Sequence, residues 1–128
     1  EGLSNVLALD PYDFEAFVAH LLKAQGFTSL ALIGRAGDRG VDVTGVDPDG
    51  RMTVIQCKRY IRNNVSSEPV QRLHSFSITR GAARRILITT SDFTQQAKEE
   101  AEHTNTELIN GTELETMIAT YMPGHFKQ

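Results

Sequence analysis

The chain has 128 residues, of which 40% are hydrophobic and 23% charged, a composition that fits one folded domain and excludes a disordered chain. No apolar run approaches the roughly 20 residues needed to cross a bilayer, and the single cysteine, Cys57, excludes an internal disulfide. We therefore expect one cytoplasmic domain over residues 1–128. Because the chain begins at Glu1 rather than at a methionine, we expect it to be part of a longer protein.

The net charge of −3 is unevenly distributed along the chain. Residues 1–34 and 86–128 carry net charges of −3 and −5, whereas residues 35–85 carry +5. A basic central segment between acidic ends indicates a face suited to phosphate groups, although such charge blocks are often only solvated surface. Charge alone leaves both interpretations open.

Hydrophobic periodicity and turn residues predict the order helix, strand, strand, strand, helix, strand, helix, strand, helix. Asp10 caps the first helix, Ser67 caps the second, and the turn at 47–50 joins two strands as a hairpin. The later alternation of strands and helices requires parallel crossovers, and so predicts an α/β fold with a mixed β-sheet flanked by helices on both faces. The predicted ranges are Pro11–Gly26, Phe27–Ile33, Val41–Val46, Met52–Lys58, Val70–Thr79, Arg85–Thr90, Ser91 or Asp92 to His103, Glu107–Asn110 and Thr112–Tyr121.

Three polar residues of the hairpin, Asp42, Gln56 and Lys58, lie where a core is expected. Side chains alternate across a strand, so Gln56 and Lys58 share one face while Ile55 and Cys57 share the other. Asp42, near the start of one strand, lies close to the end of the other. We therefore expect the three to converge, with Asp42 as the partner of the Lys58 ammonium, because buried lysines are uncommon unless paired.

This convergence suits metal-dependent hydrolysis of a phosphodiester. The Asp42 carboxylate, the Gln56 amide oxygen and the Cys57 backbone carbonyl form a hard-oxygen set suited to Mg²⁺, with Mn²⁺ as a substitute. Lys58 would orient the attacking water and stabilise transition-state charge. In simpler interpretations Asp42 caps backbone amides, Gln56 bonds a neighbouring backbone group, and the Cys57 thiol is a buried structural group.

The residues of this site resemble those of the Mrr-type restriction endonuclease domains, which belong to the PD-(D/E)xK nuclease superfamily. The family pattern is a Phe-Glu pair on an early helix, a Gly-Asp-x-Gly-x-Asp loop and a Gln-x-Lys strand. It corresponds here to Phe14-Glu15, Gly37 to Asp42 and Gln56-Cys57-Lys58. The resemblance covers most of the chain. It implies the restriction-endonuclease fold and metal-dependent cleavage of double-stranded DNA, often restriction of modified foreign DNA in bacterial defence.

The wider superfamily usually has Asp or Glu where this chain has Gln56, a substitution that Mrr-type members share. A neutral ligand predicts weak Mg²⁺ affinity without DNA. The resemblance places the acid corresponding to Glu15 beside the metal, where it would compensate, although helix surfaces carry many glutamates.

Asp38 fits a turn better than a ligand, and Thr90 and Ser91 fit a strand end and helix cap better than DNA contacts. Five residues around the site fit either DNA-backbone contacts or solvated surface. They are Arg35, Arg39, Arg59, Tyr60 and Arg62.

We therefore expect a Mg²⁺-dependent endonuclease whose partner is double-stranded DNA, with no membrane contact. A homodimer that reaches both strands, and a DNA-recognition domain elsewhere in a longer chain, are further expectations. Two alternatives remain open: a nucleic-acid-binding module that kept the fold without turnover, and a Holliday-junction-resolving nuclease. Intact Asp42 and Lys58 argue against the first, whereas the second shares the same core.

Overall fold

The computed structural model of the protein describes residues 2–33 and 40–125. Their five strands form a single sheet. Within these residues, none of the helices combines the length and the hydropathy needed to span a membrane. The elements are α1 (Gly2–Leu7), α2 (Pro11–Ala24), β1 (Thr28–Leu32), β2 (Val43–Val46), β3 (Met52–Lys58), α3 (Ser67–Arg80), β4 (Arg84–Thr89), α4 (Gln95–Thr104), β5 (Glu107–Ile109) and α5 (Gly111–Tyr121).

The strands lie in the sheet in the order β1-β2-β3-β4-β5. The first three are antiparallel neighbours, and a short turn connects β2 to β3. β3, β4 and β5 are parallel, and parallel neighbours need crossovers, which α3 and α4 supply. The predicted mixed sheet is confirmed, as is the hairpin of β2 and β3.

Helices cover both faces of the sheet. α1, α2 and α5 pack on the face that carries Ile55 and Ile88, with Cys57 partly buried against it. α3 and α4 pack on the face that carries Val54 and Leu87. Even-numbered residues of β3 therefore face α3 and α4, and odd-numbered residues face the other three helices.

Helix α1 was not predicted, because its six residues are too few to display a helical period. The cap of α2 is as expected: Asp10 accepts a hydrogen bond from the backbone N–H of Asp13 at 2.7 Å. Helix α3 begins one residue earlier than a Ser67 cap requires, since Ser66 occupies the N-cap position and Ser67 is helical.

Helix α4 begins later than expected, so the predicted caps Ser91 and Asp92 are wrong. Its N-cap is Thr94, whose hydroxyl accepts from the backbone N–H of Ala97 at 3.1 Å. The preceding residue, Phe93, remains extended in a parallel bridge to Val65. Tertiary pairing therefore delays the start of the helix.

A cluster of charged residues joins strands at the end of the sheet away from Asp42. Asp47 Oδ2 accepts from Arg51 Nε at 2.8 Å and from Arg84 Nη1 at 3.2 Å. Arg84 also binds Glu107 through two bonds of 2.6 and 2.8 Å. Burial alone would raise the pKa of Asp47, but hydrogen bonds from the backbone and side chain of Arg51 and from Arg84 outweigh it, and the pKa is lowered.

This lowered pKa predicts an acid-dependent contribution to stability. A carboxylate whose folded-state pKa lies below its unfolded value of about 3.9 stabilises fully above that pH, and the contribution disappears as the pH falls through the folded-state pKa. Asp47→Asn should therefore lower the melting temperature at pH 7, and the difference from wild type should shrink below about pH 4. Circular dichroism melts at several pH values measure this.

The control is Asp49→Asn, because Asp49 is exposed and makes only a 3.7 Å ion pair with Arg51. It should change the melting temperature little at any pH. A deficit of Asp47→Asn that is equal at pH 7 and pH 3 would contradict the prediction.

Candidate active site

A bulge in the strand pairing directs the side chain of Asp42 toward the end of β3. The Asp42 backbone N–H donates to the Ile55 carbonyl at 2.9 Å, yet Ile55 is also the register partner of Val43. Asp42 and Val43 thus both lie opposite Ile55, which is the pairing of a β-bulge. Bulges bend a strand and redirect side chains, often beside active sites.

The Asp42 carboxylate contacts two groups at the end of β3. Its Oδ2 accepts hydrogen bonds from Gln56 Nε2 at 2.7 Å and from the Cys57 backbone N–H at 2.8 Å. Asp42 and Gln56 are only 3% and 2% exposed. The structure therefore brings these two predicted residues together, with the amide nitrogen of Gln56 rather than its oxygen facing the carboxylate.

Glu15 is buried on α2, close enough to Cys57 to act on its thiol electrostatically. Burial raises the pKa of the Cys57 thiol well above its usual value, and the negative charges of Asp42 and Glu15 raise it further. Both carboxylates therefore lie near Cys57. The thiol stays protonated near neutral pH, as expected for a structural group rather than a nucleophile.

Lys58 is the last residue of β3 and is half-buried. The expected ion pair with Asp42 is not formed, and across residues 2–33 and 40–125 no carboxylate forms a salt bridge with the Lys58 ammonium. Partial exposure explains this, because water can solvate the ammonium.

The backbone at Lys58 is held firmly by its neighbours. Its carbonyl accepts from the Thr89 hydroxyl at 2.7 Å and from the backbone N–H groups of Tyr60 and Thr90 at 3.0 and 3.3 Å. This positioning role of Thr89 was not predicted from the sequence, because it follows from the register of Thr89 opposite Lys58 in the parallel pair of β3 and β4. Thr90 binds the Tyr60 carbonyl through its hydroxyl at 2.6 Å, which supports its assignment to a strand end.

The segment after Lys58 forms an open depression of about 480 Å³. Arg59 is partly committed to the fold, because its Nη1 donates to the Leu7 carbonyl at the end of α1 at 3.2 Å. Arg62 is exposed. The depression is lined by Arg59, Tyr60, Ile61, Arg62 and Asn63. Arg35, Gly37, Asp38 and Arg39, which were also singled out, lie outside the described residues.

Gly40 forms one wall of the site and has a φ of +93°. A Cβ atom at this position would lie 3.3 Å from Cβ of Arg72 and 3.5 Å from Oε1 of Gln56. The backbone therefore passes close between α3 and the Gln56 amide. Arg72 was not predicted to lie here, because only the packing of α3 brings it to this wall.

The oxygen atoms around Asp42 fit the requirements of Mg²⁺, which uses one or two carboxylates together with water and substrate phosphate. Asp42 and Glu15 are the carboxylates, and Gln56 carries an amide oxygen. The N–H and C=O groups of a strand residue point to the same side, so the Cys57 carbonyl also faces the Asp42 side. The described residues include no group of three or more His, Cys, Asp or Glu side chains arranged to hold a metal, so amide and backbone oxygens are needed.

A mixed sheet with an acid and an amide meeting beside a strand-end lysine is the arrangement expected of a restriction-endonuclease-like nuclease. Residues 6–118 match the Mrr_cat family, described as restriction endonuclease. The chain belongs to this restriction endonuclease family.

One curated relative and two solved structures illustrate the similarity. The chain is 34% identical over 108 residues to the Type IV methyl-directed restriction enzyme EcoKMrr of Escherichia coli (strain K12), a match covering 80% of this chain and 35% of the relative. It superposes on the DNA modification-dependent restriction endonuclease AspBHI with a TM-score of 0.72 and 22% identity, over 93% of this chain and 34% of that one.

The second structure is the MspJI restriction endonuclease in complex with a 27-mer oligonucleotide, with a TM-score of 0.67 and 21% identity over 94% of this chain and 31% of that one. The chain therefore spans only about a third of the length of each of these proteins. The structural likeness establishes the restriction-endonuclease-like fold.

The close approach at Gly40 predicts a site-specific effect of adding one methyl group. A non-glycine residue at positive φ costs about 1–2 kcal/mol wherever it occurs, but Gly40→Ala should also push Arg72 away, because the new methyl group would lie 3.3 Å from its Cβ and in contact with Gln56. We expect this variant to lose up to about 100-fold in DNA cleavage, as misplaced catalytic groups do. Cleavage of supercoiled plasmid and urea unfolding measure the two effects.

The matched control is Gly50→Ala, because Gly50 has a φ of +86° and no atom within 4 Å of a Cβ placed there. It should lose similar stability but retain cleavage. Equal cleavage by the two variants would show that Gly40 does not shape the site.

Proposed function

We propose that this domain cuts double-stranded DNA by Mg²⁺-dependent attack of water on a phosphodiester. The observation that carries the proposal is the meeting of the Asp42 carboxylate, the Gln56 amide and the Cys57 backbone at the end of β3. The burial of Asp42 and Gln56 supports it, because electrostatic interactions are stronger where water is excluded.

The metal would be held by Asp42 and Glu15, with Gln56 Oε1 and the Cys57 carbonyl as further donors. When bound, Mg²⁺ neutralises phosphate charge and makes water a better nucleophile. Gln56 presents Nε2 to Asp42, so ligation through Oε1 requires its amide to turn over. With this neutral ligand, tight binding would need the oxygen atoms of a DNA phosphate. Mn²⁺ would substitute for Mg²⁺.

Lys58 would stabilise the negative charge that develops on the phosphate and orient the attacking water. Two features support this role. Its ammonium forms no salt bridge within the described part of the chain, and three hydrogen bonds to its carbonyl hold the backbone in place. The backbone that carries the ammonium is thus held in place, and the ammonium is not neutralised by a carboxylate of the described residues.

We propose modified foreign DNA as the substrate class, because EcoKMrr is described as methyl-directed and AspBHI as modification-dependent. Since the chain spans about a third of these proteins, recognition of the modification would belong to another domain. A homodimer would reach both strands. Tyr60 and Arg62 would contact the DNA backbone from the depression after Lys58. Arg35, Arg39 and Arg59 would provide further contacts to the DNA backbone.

Plasmid nicking tests this proposal directly. Asp42→Asn keeps the shape of the side chain and an oxygen acceptor for the Cys57 N–H, but removes the charge. Lys58→Met keeps the apolar stem and removes the ammonium. In the presence of Mg²⁺, each variant should lose at least about 100-fold in cleavage rate, the scale of a lost electrostatic contact in an active site.

Lys23→Ala is the control, because Lys23 is an exposed cation near the end of α2 and should leave cleavage unchanged. EDTA should abolish wild-type cleavage. Full activity of both site variants would refute the proposed site. A wild type that binds DNA and never cuts it would favour a binding module that lacks turnover.

A further inference from the structure

We propose that the DNA strand leaving the active site follows the exposed face of α3, where Arg72 and Arg80 bind its phosphates. This inference rests on the proposed function, because it extends the DNA path of the same site. The surface concerned, called the α3 groove, is a depression of about 240 Å³ lined by Arg72, Ser75, Phe76 and Thr79.

The α3 groove is continuous with the proposed active site. Arg72 lies at one end of the groove, and its Cβ is 3.3 Å from the position that a Cβ on Gly40 would occupy. The same position is 3.5 Å from Gln56 Oε1. A strand whose phosphate lies at Asp42 and Gln56 therefore meets Arg72 next along this face.

The chemistry of the α3 groove matches a phosphate backbone. Its residues occupy helix positions that share one face, and none of the four lining residues is acidic. Guanidinium and hydroxyl groups are common donors to DNA phosphates. Arg72 makes no salt bridge within the described residues, so its charge is not neutralised by a carboxylate.

Arg80 places a second guanidinium at the far end of the α3 groove. Its Cζ atom lies 4.8 Å from the centre of the Phe76 ring, which stacks beneath it and restrains it. Arg72 and Arg80 are eight residues apart, about 12 Å along a helix axis. DNA rises about 3.4 Å per nucleotide of one strand, so the two arginines would meet different phosphates of the same strand.

A second copy of this chain is the main alternative occupant, because Ile78 is 63% exposed on the same helix. In a two-fold contact centred on the groove, the same patch of both copies would meet. The arginines of one copy would then approach those of the other. This repulsion favours DNA as the occupant.

The salt dependence of DNA binding tests the inference. Binding of the 128-residue chain to a fluorescein-labelled 40-base-pair duplex of mixed sequence is measured by anisotropy between 50 and 200 mM NaCl, with EDTA to prevent cleavage. The association constant falls as the salt concentration rises, and each lost phosphate contact reduces the steepness of log association constant against log salt by about 0.9. Arg72→Ala with Arg80→Ala should therefore reduce the steepness by about 1.8. Binding should weaken roughly tenfold or more.

The charge-matched control is Lys23→Ala with Lys98→Ala, which removes two exposed cations that do not line the groove. Its slope should change much less. Replacing both arginines by lysine should restore most of the slope, because lysine keeps the charge, and this separates lost contacts from misfolding.

Three results would overturn the inference. A wild type that binds and cuts DNA while the double alanine variant keeps its slope would refute the α3 groove alone. A wild type that binds no DNA would refute the proposed function as well. Unchanged DNA binding together with weaker self-association in sedimentation would assign the groove to contact between copies.

Discussion

The proposed site depends on one carboxylate oxygen that accepts two hydrogen bonds from the end of the neighbouring strand. Asp42 Oδ2 binds Gln56 Nε2 and the Cys57 N–H in a place almost inaccessible to solvent. A buried carboxylate is costly unless such donors satisfy it, and hydrogen bonds are stronger where the dielectric is low. The geometry is therefore built into the sheet, and catalytic groups on strands are placed more accurately than those on loops.

The two ends of the sheet satisfy their buried carboxylates in different ways. Asp47 is paired with the guanidinium groups of Arg51 and Arg84, so its charge is used for stability. Asp42 accepts hydrogen bonds from two neutral groups, the Gln56 side-chain amide and the Cys57 backbone N–H. Lys58, the last residue of β3, is half-exposed, so its positive charge is available for a phosphate.

Local sequence patterns were sufficient to predict the sheet and the contact between Asp42 and Gln56. A turn and the two-residue period of a strand determine which residues of a hairpin are neighbours. The bulge at Asp42 was not predictable, since it is a property of pairing with Ile55 rather than of residue type. Arg72 was missed because only the packing of α3 brings it to Gly40. The delayed start of α4 at Thr94 has a similar tertiary cause.

The central claim is that Asp42, Gln56 and Cys57 form one cation site. A Mg²⁺ titration of the ¹⁵N-labelled chain, followed by two-dimensional NMR, tests it most directly and can detect weak binding. We expect the NMR signals of the Gln56 side-chain amide and the Cys57 backbone amide to shift together with one dissociation constant, and both shifts to vanish in Asp42→Asn. Shifts confined to other residues, or unchanged by that substitution, would contradict it.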